Sequence, residues 1–283
     1  SYRKLVIKRL GRIMIPRMIF MDIDGTLVDS EMKISDFDKR SIHQVIDQGT
    51  LVYLATGRKY EAARVVAESL HPEVKVIASN GCVYDCDQNL IKNPLNLEAL
   101  IEAFEICQRK NLSLFFFGLS ETFYSKDLPD YFKNEDKGRL VSEGEREFIK
   151  ISSLNDLQNF SNRIINGIII SEDNFEVLAE IKHELRASKN LSVSSSALNN
   201  LELTPKSVTK ATAISALQDY YAVNKKDTVA FGDGMNDLEM FGQVHYSVAM
   251  GNASELVKKE ATYETLSNLE SGISHFLNFL SSQ

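Results

Sequence analysis

The 283-residue chain has no tryptophan, five prolines and only three cysteines. Cys82, Cys86 and Cys107 cannot all pair within one chain and do not supply the four ligands of a structural zinc site, so they read as free thiols of a reducing cytoplasm. Long apolar runs are also missing. Leu112 to Leu119 and Ile164 to Ile170 fall far below the roughly 18 residues of a membrane span and read as buried strands. There is no excess of positive charge: 32 basic against 39 acidic side chains give a formal −7, with no whole-molecule attraction to nucleic acid or an anionic membrane. An anionic substrate therefore needs a local positive site. The absence of a G-x-S-x-G elbow and of a P-loop removes serine-hydrolase and Walker-type NTPase readings. His43, His71, His183, His245 and His275 are scattered without metal-type spacing and read as structural or surface residues.

What remains is ordinary globular composition, 43% hydrophobic and 25% charged, at a length that suits about two domains. The first 17 residues are basic (Arg3, Lys4, Lys8, Arg9, Arg12, Arg17) but contain no signal-peptide core. They admit two readings: a contact to phosphate or a membrane surface, or a short tail ahead of the first core strand, with translation starting near Met14 or Met18.

From Met18 an apolar strand is followed by a helix over about Asp36 to Gln48, which Ser35 and Asp38 start and Gly49 ends. Strand Leu51 to Ala55, helix Tyr60 to Leu70 and strand Val74 to Ala78 continue the alternation, the grammar of parallel crossovers. The same grammar returns after about Leu201, with a strand, a helix from about Val208 to Tyr221, strand Thr228 to Phe231, and a last amphipathic helix around Ile273 to Leu280. Between them, mixed strands and helices with a polar stretch from Ser125 to Gly144 predict an inserted α+β module.

Four segments carry chemistry. Asp22-Ile23-Asp24-Gly25-Thr26 places two carboxylates at the end of the first strand, where open α/β sheets form their clefts. One carboxylate can attack phosphorus while the other protonates a leaving alkoxide and then activates water; an Asp-Gly turn with no function is the competing explanation. Ala55-Thr56-Gly57-Arg58 offers a hydroxyl and free N–H groups at a helix entrance, suited to a phosphoryl oxygen, although Thr is also a common N-cap. Lys210 lies in the first turn of a helix, where a cation is unfavourable by up to about 1 kcal/mol unless an anion sits beside it. Gly232-Asp233-Gly234-Met235-Asn236-Asp237 brings two more carboxylates to a strand end, an oxygen-rich set that points to Mg²⁺.

In this order, with a large insertion between the second and third, these segments resemble the four motifs of the haloacid dehalogenase superfamily of aspartate-nucleophile phosphatases. The insertion follows the second motif and Ser79-Asn80-Gly81 closes the third strand, which is similar to the class IIB, Cof-like branch. The resemblance runs from Met18 onward. It implies an α/β fold: a Rossmann-like core with a parallel sheet and helices on both faces over residues 1–82 and 198–283, and an inserted α+β cap over 83–197.

The resemblance further implies that Asp22 is the nucleophile, Asp24 the general acid and then base, and that Thr56 and Lys210 hold the phosphoryl oxygens. It implies Mg²⁺ bound by Asp22, the backbone carbonyl of Asp24, and Asp233, with Asp237 bonding a metal-bound water or orienting Lys210. Asn236 and the Gly57 backbone would touch the substrate phosphate. Arg58 is open to two readings, reaching substrate or bracing its loop, and Asn80 is a further candidate for substrate contact. Ala211 departs from the glycine that often follows the family's lysine.

The function so implied is removal of phosphate from small phosphorylated metabolites, sugar phosphates or phosphorylated cofactors, by a cytoplasmic monomer or homodimer that needs neither nucleic acid nor membrane. A phosphotransferase or sugar phosphomutase on the same core is the enzyme alternative. A non-catalytic phospho-acceptor module is another, against which Asp24 and the insertion argue. Substrate choice would fall to Phe115 to Tyr124 and to the polar loop with Lys126, Lys133, Lys137 and Arg139, residues that equally suit a buried strand and a solvated loop.

Overall fold

A computed structural model describes residues 15–127, 147–195 and 198–282. The basic residues before Arg17, and Lys133, Lys137 and Arg139 of the polar loop, lie outside the described residues. Among the described residues no helix is long and apolar enough to cross a membrane. The chain forms two compact units, one containing the chain up to Arg58, Ala63–Asn89 and Thr209 onward, the other Lys59–Ala62 and Leu90–Val208.

In chain order the first unit opens with β1 (Met18–Met21), α1 (Asp36–Asp47), β2 (Leu51–Ala55), α2 (Tyr60–Leu70), β3 (Lys75–Ala78) and β4 (Val83–Cys86), and the chain leaves it along β5 (Asn89–Lys92). The second unit holds α3 (Leu97–Lys110), β6 (Ser113–Phe117), β7 (Glu121–Tyr124), β8 (Glu147–Lys150), α4 (Leu154–Phe160), β9 (Asn166–Ile170), α5 (Phe175–Leu185), β10 (Leu191–Ser194) and β11 (Asn200–Pro205). The chain returns through α6 (Lys210–Tyr220), β12 (Thr228–Gly232), α7 (Leu238–Gln243), β13 (Tyr246–Ala249), α8 (Glu255–Glu260), β14 (Tyr263–Glu264) and α9 (Gly272–Ser281).

The first sheet has the order β14-β13-β12-β1-β2-β3-β4-β5. Its strands from β14 to β3 are parallel, with Met18 of β1 level with Thr228 on one side and Leu51 on the other. All four residues of β1 are fully buried, as a central strand covered on both faces requires. Ser35 caps α1 by accepting from the Asp38 N–H at 3.0 Å, but the cap is one-sided. The Asp38 carboxylate turns instead to the start of α9, accepting from the Ser274 N–H at 2.7 Å. The N-cap residue of α9, Ser271, makes no side-chain cap of its own, so Asp38 performs that service from a distant helix.

The second sheet has the order β10-β11-β9-β6-β7-β8 and is antiparallel except between β7 and β8. Leu114, Phe116, Phe123, Ile169, Leu201 and Leu203 alternate along its strands and pack with Ala103, Phe104 and Cys107 of α3 and Leu178 and Ile181 of α5. Two strands fall on the other side of the expected boundaries. β4 folds back on β3, pairing Ile77 with Tyr84 and Ala78 with Val83, so it extends the first sheet. β11 pairs with β9 and β10, so the strand after Leu201 belongs to the second sheet. The main bounds of the second unit therefore fall at 89/90 and 208/209 rather than at 82/83 and 197/198, with Lys59–Ala62 grouped with it as well. A strand's own pattern specifies that it has a buried face, not which sheet supplies the partner.

Candidate active site

Because β12, β1, β2 and β3 run parallel as neighbours, the residues that follow them gather along one edge of the sheet. Asp233 follows β12, Asp22 follows β1, Thr56 follows β2 and Ser79 follows β3. Lys210 is the first residue of α6, behind the N-cap Thr209.

The Lys210 ammonium is buried and donates to Asp22 Oδ1 at 2.7 Å and to Asp237 Oδ1 at 2.8 Å. Asp237 is itself fully buried, and its other oxygen accepts from the Asp233 and Gly234 N–H groups at 3.1 and 3.0 Å. The Thr26 hydroxyl donates to Asp233 Oδ1 at 2.8 Å. Oxygens of Asp22, Asp233 and Asp237 all lie within 4.8 Å of one another.

Three carboxylates share one ammonium, and the protonation energetics register the excess. Burial raises the Asp22 carboxyl to about 7, against the lowering pull of Lys210 and with a further push from Asp237 and Asp233. Asp233 is raised as well, by burial first, with the Thr26 hydroxyl pulling the other way. For Lys210 burial alone would lower the ammonium, but Asp22 and Asp237 together carry it above its ordinary range. An all-oxygen donor set with surplus negative charge fits a small hard cation, which these residues could hold.

Asp24 faces away from this cluster. Its two oxygens accept from Arg58 Nε at 2.8 Å and Nη2 at 2.5 Å, a two-point grip, and its side chain stays 58% exposed. The Arg58 guanidinium thus ties its loop to the one that carries Asp24. The Arg58 N–H also donates to the Thr56 hydroxyl at 3.1 Å, which closes the Thr56-Gly57-Arg58 turn.

Ser79, Asn80 and Gly81 all have positive φ, at 47°, 53° and 101°. Strained segments of this kind persist only where their surroundings hold them. Here the Asn80 N–H donates to the Thr56 carbonyl at 3.0 Å and the Ser79 N–H to the Arg58 carbonyl at 2.8 Å. The Asn80 amide lies against Gly57, and a Cβ on Gly81 would come within 2.2 Å of the Thr209 carbonyl oxygen. The turn thus touches both the Thr56 loop and the entrance of the Lys210 helix. Gly25 (φ +79°) is packed in the same way, since a Cβ there would stand 2.4 Å from Asp233 Oδ2. Asn236 lies exposed in the single helical turn Met235–Asp237.

Asp22, Lys210, Asp233 and Asp237 therefore converge, Thr56, Gly57, Arg58 and Asn80 form a second group, and the Asp24 carboxylate belongs to Arg58. Sequence reasoning missed the Thr26 hydroxyl, although Thr26 ends the D-x-D-G-T run. It also missed Asn252 and Asn268, which bond to the carbonyls of Gly25 and Val28 at 2.8 and 2.9 Å and carry no signal in the sequence.

The haloacid dehalogenase-like hydrolase family matches residues 19–277. The chain belongs to this family and is an enzyme of the hydrolase class, with phosphatases among its relatives. It is 27% identical to the 5-amino-6-(5-phospho-D-ribitylamino)uracil phosphatase YcsE of Bacillus subtilis over 91% of this chain and 92% of that one. A haloacid dehalogenase-like hydrolase from Bacteroides thetaiotaomicron is 26% identical and superposes with a TM-score of 0.77, covering 94% of this chain and 99% of the other. The subclass IIB sugar phosphatase BT4131 shares the fold at 22% identity and a TM-score of 0.72, covering 93% of this chain and 98% of its own.

Proposed function

We propose that this chain is a Mg²⁺-dependent phosphohydrolase that releases phosphate from small phosphorylated metabolites through an aspartyl-phosphate on Asp22. The observation that carries the reading is the buried Lys210 ammonium held between Asp22 and Asp237 beside Asp233. Asp22, Asp233 and the Asp24 carbonyl would hold Mg²⁺, with Asp237 beside them. Bound there, the ion would offset the charge between an anionic nucleophile and an anionic phosphate.

An Asp22 oxygen attacks phosphorus as the ester P–O bond breaks, and Asp24 gives its proton to the departing oxygen. Asp24 then takes a proton from water, whose oxygen attacks the same phosphorus. The Asp22–phosphorus bond breaks and phosphate leaves. Thr56, the Gly57 N–H, Lys210 and Asn236 hold the phosphoryl oxygens, Lys210 offsetting charge on the equatorial set. Both Asp24 oxygens accept from Arg58, so delivering a proton requires one of them to leave that grip.

We read the second unit as the cap that chooses among leaving groups. Sugar phosphates and phosphorylated cofactors are the substrate class, and a phosphoribitylamino-pyrimidine of the kind named for the Bacillus relative belongs in the first panel. The test is phosphate release from such a panel with Mg²⁺, run beside Asp22→Asn. Release that the variant reduces below about one per cent supports the reading. Release that survives the substitution removes the covalent route, and none at all from a folded protein overturns the proposed phosphate release in favour of phosphoryl transfer to another acceptor.

A further inference from the structure

The loop that carries Asp22 and Asp24 is held from outside by two asparagines. Between Ile23 and Val28 the chain turns back on a single carbonyl, with the Leu27 and Val28 N–H groups both donating to Ile23 O at 3.0 Å. Asn252, in the loop after β13, donates its side-chain N–H to the Gly25 carbonyl at 2.8 Å. Asn268, in the turn after β14, donates to the Val28 carbonyl at 2.9 Å. The two are joined, because Asn252 Oδ1 accepts from the Asn268 N–H at 3.1 Å. A continuous polar bridge therefore spans both ends of the loop, from residues 227 and 240 positions away in the chain.

The bridge grips a consequential peptide. The Gly25 carbonyl shares a rigid plane with the Thr26 N–H, so fixing its direction fixes where Thr26 starts. Thr26 in turn bonds Asp233, and Gly25 packs directly on the Asp233 carboxylate. On the other side, Gly25 alone separates this peptide from Asp24. Asn252 is exposed, so its bonds compete with water and add little to folding. What they add is direction.

We propose that Asn252 and Asn268 are positioning residues for the reaction, setting the Gly25 and Val28 carbonyls so that Asp24 and Thr26 keep their working angles. The proposal rests on the phosphohydrolase reading above. It is tested by kcat and KM for para-nitrophenyl phosphate and for the best metabolite of the panel, with urea unfolding alongside, in Asn252→Ala, Asn252→Asp, Asn268→Ala and the Asn252→Ala/Asn268→Ala double variant.

Asn252→Asp is nearly isosteric and keeps the acceptor for Asn268 while losing the donor to Gly25, so it serves even where the alanine variant folds poorly. The expected result is a kcat lower by about ten- to a hundredfold in either Asn252 variant, the scale of roughly 1 Å misplacements, with KM within about twofold. The double variant should be no slower than the slower single one, because both residues act through one loop. A kcat within about twofold of wild type, a loss seen in KM or in stability alone, or losses that multiply in the double variant, overturns the proposal. The Asp22→Asn control separates the two levels: activity that persists in it removes the reaction itself, whereas Asp22-dependent activity indifferent to Asn252 removes only the positioning role.

Discussion

Gly81→Ala is the sharpest test of how the site is built. A side chain at φ +101° meets left-handed strain of about 1 to 2 kcal/mol. Its Cβ would also lie 2.2 Å from the Thr209 carbonyl oxygen and 2.6 Å from the carbonyl carbon, both backbone atoms, where ordinary contact begins at 3.4 Å. At that distance something must shift, and where the turn carrying Gly81 gives way the overpacking adds about 1 to 3 kcal/mol, for a total of roughly 2 to 5 kcal/mol. That is a large share of a typical 5 to 15 kcal/mol stability. If Thr209 yields instead, it must retreat by about 1.2 Å, the difference between 3.4 and 2.2 Å, and Lys210 is the next residue. In the proposed reaction Lys210 holds the phosphate, and a shift of that size there would cost about a hundredfold in rate. Urea unfolding followed by circular dichroism measures the first outcome and kcat the second. A variant within about 0.5 kcal/mol and twofold of wild type in both would refute the packing argument.

Three other outcomes follow from the same geometry. Lys210→Met leaves Asp22, Asp233 and Asp237 without their ammonium and should cost about 3 to 5 kcal/mol in urea unfolding with chelator present; a cost under about 1 kcal/mol would show that the carboxylates do not depend on it. EDTA should abolish turnover and Mg²⁺ restore it, and activity indifferent to chelation would remove the metal from the reading. Asp38 has a carboxyl raised by burial and one oxygen without a partner, so the folded state carries the penalty of its charge above the raised value and loses it as pH falls toward 3.8. Asp38→Asn keeps an acceptor for the Ser274 N–H; it should unfold at higher urea than wild type at pH 7.5, with the advantage shrinking toward pH 4. An advantage that instead grows on acidification would contradict the assignment.

The alternation of apolar strands and amphipathic helices was enough to predict a parallel α/β sheet, and the residue after each strand end was enough to nominate Asp22, Thr56 and Asp233. Strand period, helix period and turn chemistry are local, and they survive in the sequence because each is decided within a few residues. The unit boundaries were less legible. β4 and β11 read as ordinary strands, and only partner choice put β4 beside β3 and β11 beside β9. The Asp38 side chain looked like half of a capping box on its own helix, yet it serves α9, 236 positions along the chain.

By itself, then, the sequence determined the fold class and which acids and hydroxyl stand at the carboxyl ends of parallel strands, since strand direction forces those ends to one edge. Tertiary structure alone decided which groups meet across that edge. It desolvated the Lys210 ammonium between Asp237 and Asp22, the latter 188 positions away, turned Asp24 toward Arg58, and brought Asn252 to the Gly25 carbonyl. Contacts of that separation depend on which strands become neighbours, and no local period encodes the order of a sheet.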